Sequence, residues 1–481
     1  MFSLLTAAVF IGLAAPAAHA DTLLPTTMTI GSTPRGVSIT PDGRYAYAAN
    51  SGDGTVSVVD TALAVTSPAT AVVSAITVGA GAQAVAFTPN GRYAYVTSST
   101  NGTVSVIDTA LALTAPATAV VATITVGTSP SGVAVTPDGR HVYVANIQDS
   151  TVSVIATASN TVIKTVDIPP MSGGVSTRTL AMTPNGQYVY VANDADGSVY
   201  IISTATNAVV GGPIVINSSP PAQFWGLTFT PNGKYFYVTD RAAGVNTATV
   251  VETASNTVAS VLPTGGGGVS SPIGMTMTPD GQYAYIVNNL TAGSVTVIDT
   301  ALAVTNPASA SVDSTIVNVP RSVAITPDGQ YAFVTGAADT LSVIQLDARA
   351  PAVTGAILPE IQVGASYWGF IEVAGSPTPD LTVTGLPPGL SVQGDGTQAG
   401  IGTVSGTPTQ PGTYTVTVTG TYVDGGGITR SLPPQTFTIV IDAAPPSSSN
   451  ASAVPTLSEM ALALLALLLA AGAAAAARRG R

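Results

Sequence analysis

The sequence predicts an all-β protein whose larger part is a seven-bladed β-propeller closed by its own N-terminal strand. Three observations carry that expectation. A Thr-Pro-Asp/Asn-Gly turn recurs at Thr40, Thr88, Thr136, Thr183, Thr230, Thr278 and Thr326, at steps of 47 or 48 residues. A fixed period in this range marks a solenoid, an array or a propeller. Each copy also divides into four strand-like pieces, and the two ends of the array complement each other.

The third copy shows the four pieces. "GVAVT" precedes the turn, "HVYVAN" follows it, and "TVSVI" and "NTVIKTVDI" complete the unit. Val, Thr, Ile and Tyr dominate, and turn residues bound each piece. In the turn, Pro presets φ at the second position and Gly takes the position that needs positive φ. Four antiparallel strands per repeat make one propeller blade; the rungs of a parallel β-helix, the competing architecture, are usually much shorter. The first six copies are each followed by a further strand-like piece, which ends in Gly in "AITVG" (Gly79) and "TITVG" (Gly127), and the first is preceded by its equivalent, "TMTIG" (Gly31). The seventh copy ends at "TLSVIQLDARAP" without one. The N-terminal strand is therefore expected to complete the seventh blade, which removes both exposed sheet edges.

The phrase "PSGVAVTPDGRHVYVANIQDSTVSVI" (Pro130 to Ile155) resembles the YVTN-family β-propeller repeat, and the likeness extends over roughly residues 25–348 in seven registered copies. It implies that the strand before each turn lines a central channel and that the next three step outward.

The period stops after Asp347, and residues 350–442 read as one further all-β domain. "GLPPGLSV" (Gly385 to Val392), "GTVSGTPTQPGTYTVTVT" (Gly402 to Thr419) and "QTFTIVI" (Gln435 to Ile441) resemble Ig-like domains of bacterial surface proteins. Residues 443–453, "AAPPSSSNASA", read as a flexible or polyproline-like linker.

The ends of the chain address compartment. Residues 1–20 carry an apolar run ending in Ala18-His19-Ala20, a small-x-small pattern that predicts a signal peptide cleaved after Ala20. No Lys or Arg precedes the run, so a start further upstream and a buried N-terminal helix remain alternatives. At the other end, Met460 to Ala477 carries no charge and precedes Arg478, Arg479 and Arg481. At about 1.5 Å per residue that helix approaches one bilayer crossing, with the arginines on the cytoplasmic side. The segment "VPTLSEMALALL" resembles the IPTL-CTERM sorting signal through Val454, Pro455, Thr456 and Leu457. Val454 stands where Ile is usual, and Met460-Ala461 where Trp-Gly is common. The resemblance implies an exosortase-type sorting enzyme as partner, a Gram-negative envelope or cell surface as destination, and release on cleavage; a plain membrane anchor is the alternative.

Composition narrows the chemistry. The net charge is −11 and charged residues are 8% of the chain, an acidic, sparsely charged body that excludes nucleic acid as a partner. With no Cys, disulfides, Cys-ligated zinc and iron–sulfur clusters lose their ligands. The one histidine after the leader, His141, has Tyr at the equivalent place in the other six copies, which predicts a packing role. No second His is present for a transition-metal site or a nucleophile triad. "GAGAQA" (Gly79 to Ala84) matches a dinucleotide fingerprint in letters only, since a strand follows where a helix is needed. "GGGG" (Gly265 to Gly268) reads as a flexible loop with no Lys at P-loop spacing. Carboxylates in "SGDGT" (Ser51 to Thr55) and "NDADGS" (Asn193 to Ser198) could offer oxygens to Ca²⁺, although Asp and Gly are ordinary there as turn residues. No cofactor is expected.

The channel mouth holds the candidate site. Five residues before each turn Thr, the copies read Arg35, Gln83, Ser131, Arg178, Trp225, Ile273 and Arg321. Three guanidinium groups converging there would attract a carboxylate or phosphate; alternatively each Arg pairs with a nearby carbonyl or Asp. Gln223 and Trp225 lie in one of three long connections, those entering blades 4, 5 and 6. An aromatic beside Arg178 suggests a platform for a sugar or an extended peptide. The expected ligand-binding set is Arg35, Gln83, Arg178, Gln223, Trp225 and Arg321. The function expected is non-catalytic: an exported, envelope-attached propeller displaying a binding face for a surface polysaccharide, a peptide or a protein. Two alternatives stand beside it, a lactone-hydrolysing propeller, as some that resemble this one are, and a structural coat without a discrete ligand.

Overall fold

A computed structural model describes residues 21–443, apart from 170–176, 217–221, 243–245, 265–270, 291–292, 347–348, 359, 377–379, 394–400, 424–428 and 433. The signal peptide with Ala20, the Gly265–Gly268 loop, the linker beyond 443, the sorting motif at Val454–Leu457 and the C-terminal apolar helix lie outside these residues. Among the described residues, no helix is long and apolar enough to cross a membrane.

The seven repeats form seven antiparallel sheets. In blade 1 the strands are Pro34–Ile39, Tyr45–Asn50, Thr55–Asp60 and Val72–Thr77, from the channel outward. The middle strands are buried along almost their whole length, because each blade is covered by a neighbour on both faces. That is why "YAYAAN" and "TVSVVD" lack the alternation of a half-exposed strand. The outer strand Val72–Thr77 is mostly exposed.

The ring closes as the sequence predicts. Blade 7 supplies Pro320–Ile325, Tyr331–Gly336 and Thr340–Gln345, and the N-terminal segment adds Thr22–Leu23 and Met28–Thr29 against the last of these. Thr22 pairs with Gln345 and Met28 with Leu341. The closing strand comes in two pieces with Pro25 between them, a residue that has no N–H to give the ladder.

Each turn is built alike. Thr40 Oγ1 donates to Asp42 Oδ1 at 2.6 Å, Asp42 Oδ1 accepts from Arg44 N, and Gly43 N reaches Thr40 O at 2.8 Å. Asn90, Asn185 and Asn232 replace the Asp with the same bonds, so the side-chain oxygen matters here and its charge does not.

Helical inserts are the departure from an all-strand reading. In blades 1, 2 and 6 the segment after the third strand forms a one-and-a-half-turn helix, Thr61–Thr66, Thr109–Thr114 and Thr300–Thr305, each followed by a short 3₁₀ turn. Asp60, Asp108 and Asp299 cap these helices by accepting from first-turn N–H groups. Blades 3, 4 and 5 make a tight hairpin instead, with Asn160, Asn207 and Asn256 at φ near 50°, a conformation Asn tolerates.

Those asparagines also join blades. Tyr95 of blade 2 donates to Asn160 Oδ1 of blade 3 at 2.8 Å, Tyr143 to Asn207 Oδ1, and Tyr190 to Asn256 Oδ1 at 3.1 Å. Tyr285 of blade 6 reaches the Asp21 carboxylate beside the closing strand. Where the following blade carries a helix this partner is missing. Tyr237 then buries its hydroxyl without a hydrogen bond among the described residues, and blade 7 has Phe333 in that place.

Residues 349–442 fold into two sheets. One has the order Arg349–Ile357, Tyr367–Ser376, Ile401–Gly406, Leu390–Gln393; the other has Ile361–Gln362, Gln435–Asp442, Gly412–Val423, Asp380–Thr384, with Thr429–Ser431 at its edge. Ile371 and Val404 of the first pack with Val416, Val418, Ile439 and Ile441 of the second, a two-layer sandwich.

Candidate functional site

The inner strands enclose a central channel of about 790 Å³, lined by side chains such as Val37, Ile39, Val85 and Phe87. One end is rimmed by the turn prolines and approached by Thr403 of the sandwich. Arg35 and its equivalents stand at the starts of the inner strands, hence at the opposite end. Close approach of neighbouring inner strands sets the size of that mouth: a Cβ on Gly36 would lie 2.6 Å from the Gln83 carbonyl oxygen.

Blades 4 and 5 build the most elaborate part. Arg178 Nε donates to Asp194 Oδ2 at 3.1 Å, and Asp194 Oδ1 accepts from Phe224 N at 2.8 Å, so one carboxylate ties the two blades together. Its side chain is only 8% exposed. The Arg178 guanidinium carbon lies 4.4 Å from the centre of the Trp225 ring and that of Arg241 lies 4.9 Å from it. Trp225, expected from the sequence beside Arg178 as a platform for a sugar or an extended peptide, therefore meets two cations through its π system. Its Nε1 is buried and finds no hydrogen-bond partner among the described residues.

Arg35 and Arg321 complete the set. Their Nε atoms are buried without partners among the described residues, and an acidic ion-pair partner is present there for Arg178 alone of the four mouth arginines. Burial holds Arg35 below its ordinary pKa, reinforced by Arg321, Arg178 and Arg241. Arg241 is lowered likewise by burial and then by Arg178 and Arg321. Like charges thus share a partly desolvated space, and the neighbouring guanidinium groups disfavour the cationic forms of Arg35 and Arg241. A bound anion would relieve both effects through charge-assisted hydrogen bonds.

The remaining expected residues play smaller parts. Gln83 Nε2 donates to Ser99 Oγ at 3.1 Å, and Ser131 offers its carbonyl to Thr97 Oγ1. Ile273 is buried. Gln223 is exposed at the rim, its N–H bonded to Asp240 Oδ1. Arg241 and Asp194 were not singled out from sequence. Both occupy the place just after the second strand, six residues beyond the Tyr or His that begins it, where the other blades have Ser51, Ser99, Ile147, Asn289 and Ala337. Reading that second register would have found them.

Other candidates resolve into structure. Asp53 accepts from Ser32 N with both oxygens, and Asp196 accepts from Ser198 N and the Tyr200 hydroxyl. The carboxylates considered for Ca²⁺ thus accept from protein donors, Asp194 from Arg178 and Phe224 as above, and no group of three potential metal ligands occurs among the described residues. His141 is half-buried and borders a second cavity with Asp138, Arg140 and Trp368.

Comparisons with known proteins agree with this architecture. Residues 31–209 match the family model described as lactonase, 7-bladed beta-propeller. Residues 452–479 match the IPTL-CTERM motif, a C-terminal sorting motif that suggests export to the cell surface. No curated protein matches the chain. Among solved structures, hydrazine synthase of Kuenenia stuttgartiensis is similar, with 25% identity and a TM-score of 0.56 over 66% of this chain and 97% of that one.

Proposed function

We propose that this protein is an exported cell-envelope propeller whose channel mouth binds an anionic ligand without transforming it. The observation that carries the reading is the gathering of Arg35, Arg178, Arg241 and Arg321 at the mouth, the second and third of them against Trp225, with one acidic ion-pair partner among the described residues. The sorting motif supports export. Within this reading the leader ends at Ala20, the sandwich is an Ig-like spacer, and the C-terminal helix holds the chain in the membrane for an exosortase-type enzyme. The ligand is a carboxylate- or phosphate-bearing surface glycan, peptide or protein.

Calorimetric titration of the purified protein with citrate, inorganic phosphate and galacturonate tests the reading. Binding that is lost in Arg178→Ala and weakens with salt supports it; absence of binding to all three overturns it. A second reading, hydrolysis of lactones, is favoured by the family match over residues 31–209. Turnover of γ- or δ-lactones that Arg178→Ala abolishes would establish that reading in its place.

A further inference from the structure

The mouth arginines are not spread evenly around the ring. Arg321 and Arg35 belong to blades 7 and 1, which adjoin: Thr335 Oγ1 of blade 7 donates to the Arg35 carbonyl at 2.8 Å. Arg178 and Arg241 belong to blades 4 and 5, joined by Trp225 and by the Asp194–Phe224 bond. Going round one way, Gln83 and Ser131 of blades 2 and 3 separate the pairs; going the other, Ile273 of blade 6 does. In a seven-fold ring the two pairs therefore face each other across the opening. The electrostatics agree: among charges, Arg35 feels Arg321 most, and Arg241 feels Arg178 most.

From this arrangement, and resting on the anion-binding reading above, we infer that the ligand carries two carboxylate groups, one for each arginine pair, and spans the mouth. One anion neutralises one pair and leaves the facing pair uncompensated. A second anionic group on the same molecule meets its site at a high effective concentration, so it adds affinity without a second loss of translational freedom. Asp194 already offsets part of the charge of the blade 4/5 pair, so the blade 7/1 pair should grip harder. Two sources share this chemistry, a free small dicarboxylate and two uronate units of an acidic glycan.

Calorimetry on the full chain, with butyrate against succinate, glutarate and adipate, and galacturonate against tri-galacturonate, tests the inference. At least one doubly charged probe should bind about tenfold or more tighter than its singly charged counterpart. Arg321→Gln and Arg241→Gln should each reduce it to the single-charge affinity, while an unchanged circular dichroism spectrum and melting midpoint report an intact fold. Preference for the oligouronate identifies a glycan, and preference for a short dicarboxylate a metabolite. Equal binding of singly and doubly charged probes, with mouth variants still losing both, overturns the two-carboxylate inference and leaves the mouth as the site. Binding of none of them overturns both.

A separate observation concerns Asp21. Its backbone N lies 3.1 Å from Asp313 Oδ2 on the outer strand of blade 6, and its carboxylate accepts the Tyr285 hydroxyl at 2.6 Å. Thr22–Leu23, immediately after it, closes blade 7. We propose that leader removal completes this staple. Hydrolysis of the Ala20–Asp21 amide takes up one water, leaves a carboxylate on Ala20 and an ammonium on Asp21, and turns the contact with Asp313 into an ion pair. The proposal rests on cleavage after Ala20, which N-terminal sequencing of the secreted protein checks independently. Mature protein beginning at Asp21 should melt several degrees above protein carrying a Met-Ala extension, and the difference should vanish in Asp313→Asn. An extension without effect, or one equally harmful in both backgrounds, overturns it.

Discussion

Removing one hydroxyl at a time from the buried tyrosine ring should weaken some blade seams and leave another unharmed. Tyr95 and Tyr237 occupy equivalent places on the second strands of blades 2 and 5, and both are fully buried. Tyr95 donates to Asn160 Oδ1 across the seam at 2.8 Å, whereas the Tyr237 hydroxyl has no partner among the described residues. Tyr95→Phe deletes a hydrogen bond while keeping the ring, and such a bond is worth about 1 kcal/mol net. Tyr237→Phe deletes a desolvated, unsatisfied group, so it should be neutral or stabilising by up to about 1 kcal/mol. Phe333 shows that blade 7 already uses Phe in this place. With a urea m-value of about 3 kcal/mol per molar, the loss at Tyr95 moves the unfolding midpoint down by about 0.3 M. Equal destabilisation by the two changes would refute the reasoning, because a shared packing effect would then outweigh the seam bond.

Other expectations follow from the same structure. Asp194→Asn removes the acidic partner of Arg178; anion binding at the mouth should tighten and its salt dependence steepen, as read by titration at two ionic strengths. Asp60→Ala removes the cap that accepts from Leu63 N at 2.9 Å and should cost about 1 kcal/mol, with Asp60→Asn close to wild type in thermal melts. Burial pushes the phenols of Tyr95, Tyr143 and Tyr190 up to about 12. Their unfolded-state value is about 10, so their contribution to stability is complete below pH 10 and declines as pH rises towards 12. Phenolate absorbance assigned to Tyr95 as the difference between wild type and Tyr95→Phe should rise together with loss of the β circular dichroism signal; ionisation of Tyr95 well before unfolding would contradict it.

Much of the fold was legible because its determinants are local and repeated. The period of the Thr-Pro-Asp/Asn-Gly turn locates seven blades, and the unpaired "TMTIG" segment and the missing last strand of the seventh copy foretell the closure seen at Met28 and Leu341. The helices at Thr61–Thr66, Thr109–Thr114 and Thr300–Thr305 were read only as longer segments. Their lengths are short, and an Asp cap before "TALAVT" speaks quietly inside a strand-rich repeat.

The mouth divides the same way. Arg35, Arg178, Trp225 and Arg321 could be placed on one ring by counting back from each turn. Arg241 and Asp194 could not be joined to them by that count, since they come from the far end of the neighbouring strand. By itself the sequence determined the ring, its number of blades and the concentration of arginines at one end of the channel. Only the tertiary structure decided which charges meet, that Trp225 is taken up by two guanidinium groups, and that Asp194 satisfies just one of them. Blade architecture follows from the turns and strand patterns within each repeat. The pairing of charges across the mouth depends on where seven separate strands converge, and that is set when the ring closes.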